Sequence, residues 1–497
     1  MSSSTEQLNK SRADAMASQG GANHGLKKDQ LGAIAIMFYI IAAASPLTCI
    51  IAITPVMFSL GNGIGAPATF LIATAVLLLF AVGYVAMTRH VRNAGALYSY
   101  VTLGLGRPIG LGTAAVTIFA YTTIQAGLYG GFGYYAAELI NHTFGTAIPW
   151  WAFALGSSVL CLWLGLRGVH SGALVLGISL TLEVVLLLVL DSGIVFHGSV
   201  GMSHFSLEPF TAKALMSPGL GVGLMFACAA FIGFEGSAIY SEEARTPIKT
   251  IPRATYASVI FMGVLYALTM WLIINAIGVD KTVAVSNREN GNLIFWVSNL
   301  VLNPWVTNLF NVFIVSAMFA ALVTFHNNIA RYMYILGRQN LVWSALSYTR
   351  RKSQTPYVAS IVQTISAVAI ILVFVIYKLD PYNTLFAWMT GIGSIAIILA
   401  QTIAAIAIFS FFRRSKADRR LWHTVITPIG ATIGLGVFLY YSLVSVDVLL
   451  GVSGLISQCL VASIFVTFAL GVAYAIYIKR RSPARYANLT KALVSDR

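Results

Sequence analysis

The feature that most constrains this chain is a series of long apolar runs separated by short polar connections. In windows of about 19 residues, twelve runs are long enough to cross a hydrocarbon layer about 30 Å thick. In lipid the backbone must satisfy its own hydrogen bonds, so each run is predicted to be an α-helix. We number the runs spans 1 to 12, with predicted limits 31–60, 67–88, 107–140, 149–166, 172–196, 219–244, 254–278, 305–336, 356–378, 383–411, 424–445 and 455–478.

The composition agrees with a chain that is immersed in lipid. Hydrophobic residues make up 58% of the 497 residues and charged residues only 9%, whereas a soluble domain carries about 25% charged residues. The four cysteines lie in apolar runs without CxxC spacing, so neither a disulfide framework nor a zinc site is indicated. The chain is predicted to be an integral membrane protein that uses no metal and no cofactor.

Basic residues are divided unequally between the two predicted faces of the membrane. The connections on the side of the N-terminus hold 27 of the 31 Lys and Arg residues, and the opposite side holds only Lys213, Lys281, Arg288 and Lys378. Short loops rich in Lys and Arg stay in the cytoplasm, which predicts a multi-pass protein of the cell membrane with both termini cytoplasmic. The net charge of +15 is therefore a signal of topology, and no soluble domain is present to bind nucleic acid.

Two interruptions divide the spans into related halves. Span 1 contains the pair Ser45-Pro46, and span 6 contains an acid, Glu235, between Gly233 and Gly236. Each interruption begins a block of five spans, and an offset of five spans reverses the orientation in the membrane. Paired interrupted helices in inverted repeats are the best sequence indication of the central site of a secondary transporter.

This spacing also predicts the domain organisation. The chain is predicted to comprise a disordered cytoplasmic tail (1–30), a transport core (31–411) with a first repeat (31–196) and a second repeat (219–411), two additional spans (424–478) and a cytoplasmic C-terminal tail (479–497). The first tail has no apolar segment of the kind found in a signal peptide.

Each interruption predicts a different binding surface. Proline disfavours helix in the residue before it, and serine followed by proline is a good start for a new helix. The second half of span 1 would then present free N–H groups to an anion, whereas the first half of span 6 would present carbonyl groups to a cation. A zwitterion fits both ends, although a simple proline kink remains an alternative. The predicted substrate contacts are Ala44, Ser45, Leu47 and Thr48 of span 1 and Phe231, Ile232, Gly233 and Phe234 of span 6.

Glu235 is the most informative single residue of this pattern. An ionisable group at mid-bilayer costs about 2.5–3.5 kcal/mol on insertion scales, and such groups usually serve function. The alternative is that Glu235 caps the second half of span 6, where a negative charge meets the positive helix end. Serine or asparagine would cap a helix at lower cost, so we predict that Glu235 carries the coupling proton.

Three stretches resemble a known family. The stretch FIGFEGSAIYSEEARTPIKTIPRATY (231–256) resembles the sixth-helix signature and following loop of the amino acid–polyamine–organocation (APC) superfamily, and in particular its bacterial-type amino acid permeases. The stretches RHVRNAGALYSYV (89–101) and ARYMYILGRQN (330–340) are similar to the same pattern. The resemblance covers residues 31–480 and implies an all-α membrane protein of the LeuT-type fold. That fold is a five-plus-five inverted repeat with two extra helices, twelve transmembrane helices in total.

Two departures from the family pattern bear on the substrate and the coupling ion. Many amino acid carriers of the family have a Gly-Ser-Gly-rich break in the first helix, whereas this chain has Ala-Ala-Ala-Ser-Pro-Leu-Thr (42–48), which is similar to the Thr-Pro break of polyamine importers. Some proton-coupled relatives carry a lysine in the fifth helix where others bind sodium, and this chain has Glu183 at the matching place. We predict a role for Glu183 in proton coupling, with a structural hydrogen-bonding group or a sodium-site residue as alternatives.

Further polar candidates lie in spans 3 and 8. Gln125 and Tyr129 are one helical turn apart and are predicted to form a polar wall of the pocket, although tyrosines in membrane helices often serve packing. His326 is predicted to relay protons, with a packing histidine as the alternative. In relatives an aromatic residue near Phe234 acts as a gate.

A secondary transporter accounts for the repeat, the two interruptions and the buried acids together. A membrane enzyme would need a catalytic constellation, and the sequence has no HExxH motif, nucleophile elbow or phosphate-binding loop. The sequence therefore predicts an importer of a small-molecule substrate, first an amino acid, that works by alternating access. The proton is the favoured coupling ion over sodium, because no sodium-ligand motif is visible. The alternative is a transporter of polyamines or other organic amines that acts as a uniporter or exchanger.

Overall fold

The computed structural model describes residues 32–88, 90, 96–167, 170–197, 205–237, 244–350, 353–451, 454–483 and 486. The predicted N-terminal tail and most of the predicted C-terminal tail lie outside these residues. Within them the secondary structure is helical, and no β-strand occurs apart from isolated bridges such as the one between Thr349 and Pro356.

Eleven of the described helical segments are long and apolar enough to cross a membrane. They correspond to spans 1–4 and 6–12 and comprise Ala33–Ser59, Gly63–Met87, Arg107–Phe144, Trp150–Arg167, Leu220–Ser237, Pro247–Ile277, Pro304–Arg338, Tyr357–Ile376, Pro381–Ser415, Trp422–Val444 and Leu455–Arg481. Span 5 is a helix of 28 residues, His170–His197, and its length of about 42 Å is also sufficient to cross the hydrocarbon layer. Helices therefore stand at all twelve predicted positions.

Short helices occupy several connections between the spans. They are Ala96–Leu105 between spans 2 and 3, Glu208–Phe210 and Ala212–Leu215 between spans 5 and 6, Thr282–Glu289 and Leu293–Val301 between spans 7 and 8, Ser344–Ser347 between spans 8 and 9, and Val446–Leu450 between spans 11 and 12. Spans 3–7, an odd number of spans, separate Ala96–Leu105 from Leu293–Val301, so these two helices lie on opposite faces of the bundle.

The two interrupted spans are more deeply buried than the spans at the periphery. In the most apolar stretch of each helix, 89% of the residues are buried in span 6 and 78% in span 1, but only 17% in span 12. Span 12 packs mainly on span 3, where a side chain on Gly471 would stand 2.7 Å from the carbonyl oxygen of Leu111. The core of the molecule is therefore built around spans 1 and 6, and span 12 lies at the lipid-facing edge.

Candidate functional site

Span 1 is interrupted at the serine-proline pair. Its first helix, Ala33–Ala44, ends at Ser45, whose backbone is left-handed with φ 46° and ψ 84°. This conformation is uncommon for a residue that has a Cβ atom. Pro46 opens the next helical turn, where its missing N–H leaves no hydrogen bond unmade. The hydroxyl groups of Ser45 and Thr48 lie 2.7 Å apart and are buried, so the two polar side chains of this interruption bind each other.

Span 6 is interrupted by glycine. The helix Leu220–Ala229 gives way to short turns that continue to Ser237. Gly233 has φ 114°, which only glycine adopts readily. A Cβ atom at this position would stand 2.5 Å from the Cβ atom of Ala43. The two interruptions therefore touch, and the contact requires a residue without a side chain in span 6.

Glu235 is fully buried next to this contact. Both of its carboxylate oxygens accept a hydrogen bond from the N–H of Gly233, at 3.2 Å. The hydroxyl of Tyr121 in span 3 donates to Oε1 at 2.7 Å, and the amide of Gln401 in span 10 donates to Oε2 at 3.5 Å. These partners of the carboxylate are all uncharged. The acid is thus held by donors from spans 3, 6 and 10, and these donors supply no counter-charge.

The partners of Glu235 differ in whether they can accept a hydrogen bond as well as donate one. A tyrosine hydroxyl both donates and accepts, whereas a backbone N–H only donates. If Glu235 takes up a proton, the Tyr121 hydroxyl accepts from the new O–H by rotating, and the Gly233 N–H continues to donate to the other oxygen. The arrangement is therefore compatible with both the ionised and the neutral acid.

The capping interpretation of Glu235 concerns the second half of span 6. Its carboxylate bonds backwards in the chain, to Gly233, which precedes it by two residues. Residues 238–243, which belong to the predicted second half of span 6, lie outside the described residues.

Aromatic side chains surround the interruption of span 6. Phe231 packs edge-on against Tyr266 of span 7, with ring centroids 5.9 Å apart. Phe234 packs edge-on against Phe80 of span 2 at 6.0 Å. The predicted gate residue Phe234 is therefore placed between span 6 and span 2, with its ring fully buried.

The predicted polar wall lies to one side of Glu235. The Gln125 amide donates to the Leu322 carbonyl at 3.3 Å and to the Tyr129 hydroxyl at 3.4 Å, and its oxygen accepts from Gln363 of span 9.

The predicted proton relay, His326, lies against Gly165 of span 4, where an added Cβ atom would be 2.7 Å from Nε2. These groups meet among spans 3, 4, 8 and 9. The span 3 residue that reaches Glu235 is instead Tyr121, one turn before Gln125.

Span 5 brings two acids into the core. Glu183 is 2% exposed, on a helix that packs against both halves of span 1 and against span 7. Asp191, two turns later, is 6% exposed and accepts a hydrogen bond from Thr269 of span 7 at 2.9 Å. Sequence analysis missed Asp191, although an acid inside an apolar run is the same signal that singled out Glu235. It also missed Tyr121 and Gln401, and Gln401 is likewise a polar residue inside an apolar run.

One end of the site is covered by Tyr382 at the start of span 10. Beyond Thr48, span 1 continues as a π-helical turn, Cys49–Ile53, and then as the helix Thr54–Ser59. The Tyr382 hydroxyl donates to the Ala52 carbonyl of that turn at 2.9 Å, and its ring stacks on Phe386 at 5.6 Å. Span 10 is thereby fastened to span 1 on the face that carries Thr282–Glu289.

The opposite end is covered by a column of buried tyrosines. The Tyr84 hydroxyl donates to the carbonyl of Glu235 at 2.5 Å. The Tyr332 hydroxyl accepts from the backbone N–H of Tyr98 at 3.2 Å, and the Tyr98 hydroxyl donates to Gln339 at 3.0 Å. Buried tyrosines therefore lie at both ends of the two interruptions.

Comparison with known proteins identifies the family to which the chain belongs. The family model described as amino acid permease matches residues 30–482, which is most of the chain. The chain belongs to the amino acid permease family. This match confirms the predicted superfamily and the LeuT-type fold with twelve transmembrane helices.

Two curated relatives are similar to this permease over most of its length. The low-affinity putrescine importer PlaP of Escherichia coli (strain K12) is 22% identical over 361 residues, which cover 71% of this chain and 75% of that protein. The branched-chain amino acid permease BcaP of Bacillus subtilis (strain 168) is 24% identical over 372 residues, which cover 70% of this chain and 74% of that protein. This permease is therefore a multi-pass membrane transporter and not an enzyme.

Proposed function

We propose that this permease imports an amino acid across the cell membrane by alternating access, coupled to a proton that Glu235 binds and releases. The observation that carries the proposal is the position of Glu235, a fully buried acid with uncharged partners at the contact between the two helix interruptions. A buried carboxylate needs either a proton or a cation beside it, because an unpaired buried charge is costly.

The interruption of span 1 supplies the complementary group for a substrate carboxylate. The first N–H groups of a helix have no partner within that helix, and those of Leu47 and Thr48 follow directly on Pro46. The N–H of Cys49 returns to the helical pattern by bonding the Ser45 carbonyl at 3.0 Å. An amino acid would therefore place its carboxylate at the start of this helix and its ammonium group towards Gly233 and Glu235.

The second candidate substrate is a polyamine or another organic amine. It is favoured by the acids that face the core, Glu235, Glu183 and Asp191, and by the similarity to a protein named as a putrescine importer. An amine would pair its ammonium groups with these carboxylates and would leave the N–H groups near Leu47 without a carboxylate. Glu183 would then belong to substrate recognition instead of proton coupling.

Alternating access requires each cover of the site to open in turn. On one face, the hydrogen bond between Tyr382 and the Ala52 carbonyl would have to break for span 10 to leave span 1. On the other face, Tyr84 would have to leave the carbonyl of Glu235. Because this last bond involves the proton-carrying residue itself, a change of charge at Glu235 acts directly on that cover.

The test is uptake into proteoliposomes under a proton gradient alone and under a sodium gradient alone. A thermal-shift screen against amino acids and amines first identifies the substrate, because a ligand bound only by the folded state raises the unfolding temperature. We expect Glu235→Gln to abolish proton-driven accumulation while exchange of labelled for unlabelled substrate continues. Glu208→Gln, an exposed acid in the connection between spans 5 and 6, serves as the matched control and should behave as wild type.

Three outcomes would reject parts of the proposal. Unaltered pH-dependent uptake in Glu235→Gln would return that residue to a capping role. Accumulation driven by sodium at fixed pH, and lost in Glu183→Gln, would make Glu183 a sodium-site residue. Stabilisation by amines but by no amino acid would select the second candidate substrate.

The orientation in the membrane is part of the same proposal and rests on the distribution of Lys and Arg. Single cysteines placed at Ser415 and Asp447, both exposed, in a cysteine-free background should react from opposite sides of the cell membrane, Ser415 from the cytoplasm. Reaction of both from outside the cell would contradict cytoplasmic termini.

A further inference from the structure

The connection between spans 10 and 11 contains a cleft that the transport site does not use. Span 10 ends at Ser415 with a left-handed residue, Lys416 at φ 49°, and span 11 begins at Trp422. Between the two ends lies a cavity of about 250 Å³. This cavity lies on the face of the bundle that holds most of the Lys and Arg residues.

Three basic side chains line this cleft, namely Arg413, Lys416 and Arg419. In the part of the chain that the structure describes, none of the three has a hydrogen-bonding or ion-pair partner. Their neighbour Arg414 is directed elsewhere, since it donates to the Gly104 carbonyl at 3.3 Å. The cleft is therefore a concentration of positive charge that the protein itself leaves unneutralised.

The single acid at the cleft, Asp418, is already paired. Arg420 donates to its carboxylate through Nε at 3.1 Å and through Nη2 at 2.6 Å. The Arg420 side chain thereby lowers the pKa of Asp418 to about 2, so the acid is ionised at neutral pH. This pair cancels its own charge and leaves the three other cations available to a ligand.

A continuous apolar stripe begins at the same cleft and follows span 11 across the membrane. Its members share high exposure and a spacing of mostly three or four residues, so they lie on one face of the helix. They are Leu421, Trp422, Ile426, Ile429, Ile433, Val437, Tyr440 and Val444. Leu421 is 68% exposed and also lines the cleft, so the charged and apolar surfaces are joined.

We propose that this cleft binds the phosphodiester headgroup of an anionic glycerophospholipid, with an acyl chain of the lipid along the exposed stripe of span 11. Guanidinium groups match the geometry of phosphate oxygens, and basic pockets at the membrane boundary of transmembrane helices bind anionic headgroups. A free phosphate ion would satisfy the cations but would make no use of the stripe. The combination of both surfaces therefore selects a lipid.

The test uses the purified full-length protein in detergent with three probes. These are phosphatidylglycerol, phosphatidylcholine with the same acyl chains, and inorganic phosphate. Native mass spectrometry measures bound lipid, and thermal unfolding measures the stabilisation. We expect phosphatidylglycerol to bind and to raise the unfolding temperature more than phosphatidylcholine does, and inorganic phosphate to have no comparable effect. An equal shift with inorganic phosphate would overturn the assignment to a lipid.

Matched variants distinguish lipid binding at the cleft from a general electrostatic attraction between anionic lipid and the basic residues of the protein. Each cation near an anionic lipid headgroup changes affinity about fivefold. The triple variant Arg413→Gln, Lys416→Gln, Arg419→Gln should therefore bind phosphatidylglycerol on the order of 100-fold more weakly. The control removes the same charge at the end of span 12, with Lys479→Gln, Arg480→Gln and Arg481→Gln, which do not line the cleft, and should lose clearly less affinity than the cleft variant. An equal loss in both triple variants would overturn the proposal.

Two further variants test the lipid proposal if the triple variant does not fold. Asp418→Asn releases Arg420 from its ion pair, so binding of phosphatidylglycerol should tighten by about fivefold. Ile426→Gln combined with Ile433→Gln makes the stripe polar and should weaken binding of phosphatidylglycerol while Arg413, Lys416 and Arg419 remain. Unchanged binding in Asp418→Asn, or in the stripe variant, contradicts the proposed mode.

Discussion

Spans 1 and 6 are interrupted next to each other, but the residues that interrupt them are of different kinds. In span 1 the interruption is local, since Pro46 removes an N–H, Ser45 turns left-handed and the two nearby hydroxyls bind each other. In span 6 the interruption depends on surroundings, since Gly233 fits against Ala43 and Glu235 is held by groups from spans 3 and 10. The first interruption is encoded by adjacent residues, and the second exists only in the assembled bundle.

This difference predicts unequal responses to mutation. Adding a methyl group at the second interruption disturbs a contact between helices, whereas changing the first alters mainly the local geometry of one helix. It also explains why a titratable group lies in span 6, because only there do partners from several helices converge on one side chain.

The largest effect is expected for Gly233→Ala. The new Cβ atom would meet that of Ala43 at 2.5 Å, and φ 114° is strained for any residue with a side chain. Such strain and overpacking each cost about 1–3 kcal/mol, so we expect uptake to fall at least about 30-fold. Gly436→Ala, in an open position of span 11, is the control and should transport normally.

A second-site change sharpens this prediction. Ala43→Gly removes the methyl group that Gly233→Ala would meet, so the double variant should recover part of the lost uptake. The remaining deficit would measure the backbone strain. If the double variant transports no better than Gly233→Ala alone, the contact between the two interruptions is not what the glycine protects.

A smaller effect is expected for Pro46→Ala. Alanine would let span 1 approach a continuous helix, and the N–H groups of Leu47 and Thr48 would then return to intrahelical bonds. We expect the apparent affinity for substrate to fall about tenfold, the equivalent of one or two hydrogen bonds, and to fall by more than the yield of folded protein. Substrate concentration series in proteoliposomes provide the measurement.

The other proline of span 1 provides the comparison for this variant. Pro55 begins the helix Thr54–Ser59, and its carbonyl accepts from Ser286 at 2.9 Å. Pro55→Ala keeps that carbonyl and leaves the interruption in place, so its affinity should be near wild type. If Pro46→Ala and wild type have equal uptake kinetics, Pro46 only kinks span 1 and does not contribute to substrate binding.

The smallest effect is expected outside both interruptions, at the pair of Asp418 and Arg420. Arg420 lowers the pKa of Asp418 to about 2, so the pair stabilises the fold above the ordinary carboxylate pKa of about 4. This contribution is lost as the pH falls from about 4 through about 2. The difference in unfolding temperature between wild type and Asp418→Asn should therefore be small at pH 7 and shrink on acidification below pH 4. A difference that grows with acid would contradict the sign.

The sequence predicted the first interruption better than the second. Ser45 and Pro46 are adjacent, and their conformational preferences are properties of the residues themselves. The position of Glu235 was also visible, because an acid in an apolar run stands out. The partners Tyr121 and Gln401 lie more than 100 residues away along the chain, and periodicity within a helix does not say which helix it will face.

Span 3 shows the same limit of sequence-based prediction at the scale of one helical turn. The sequence predicts Gln125 and Tyr129 at the substrate, and the structure gives their polar groups partners in spans 3, 8 and 9. One turn earlier, Tyr121 bonds to Glu235. The apolar pattern of a lipid-embedded helix distinguishes its faces weakly, since lipid and protein interior are both apolar.

The π-helical turn Cys49–Ile53 makes span 1 longer by one residue than its α-helical hydrogen-bonding pattern requires. Because one residue corresponds to about 100° of rotation in an α-helix, everything beyond Ile53 is turned by roughly a quarter circle from where an unbroken helix would place it. In this turned register the Pro55 carbonyl accepts the hydrogen bond from Ser286. Moving the surplus residue along span 1 would rotate only the residues between its old and its new position, by the same angle of about 100°.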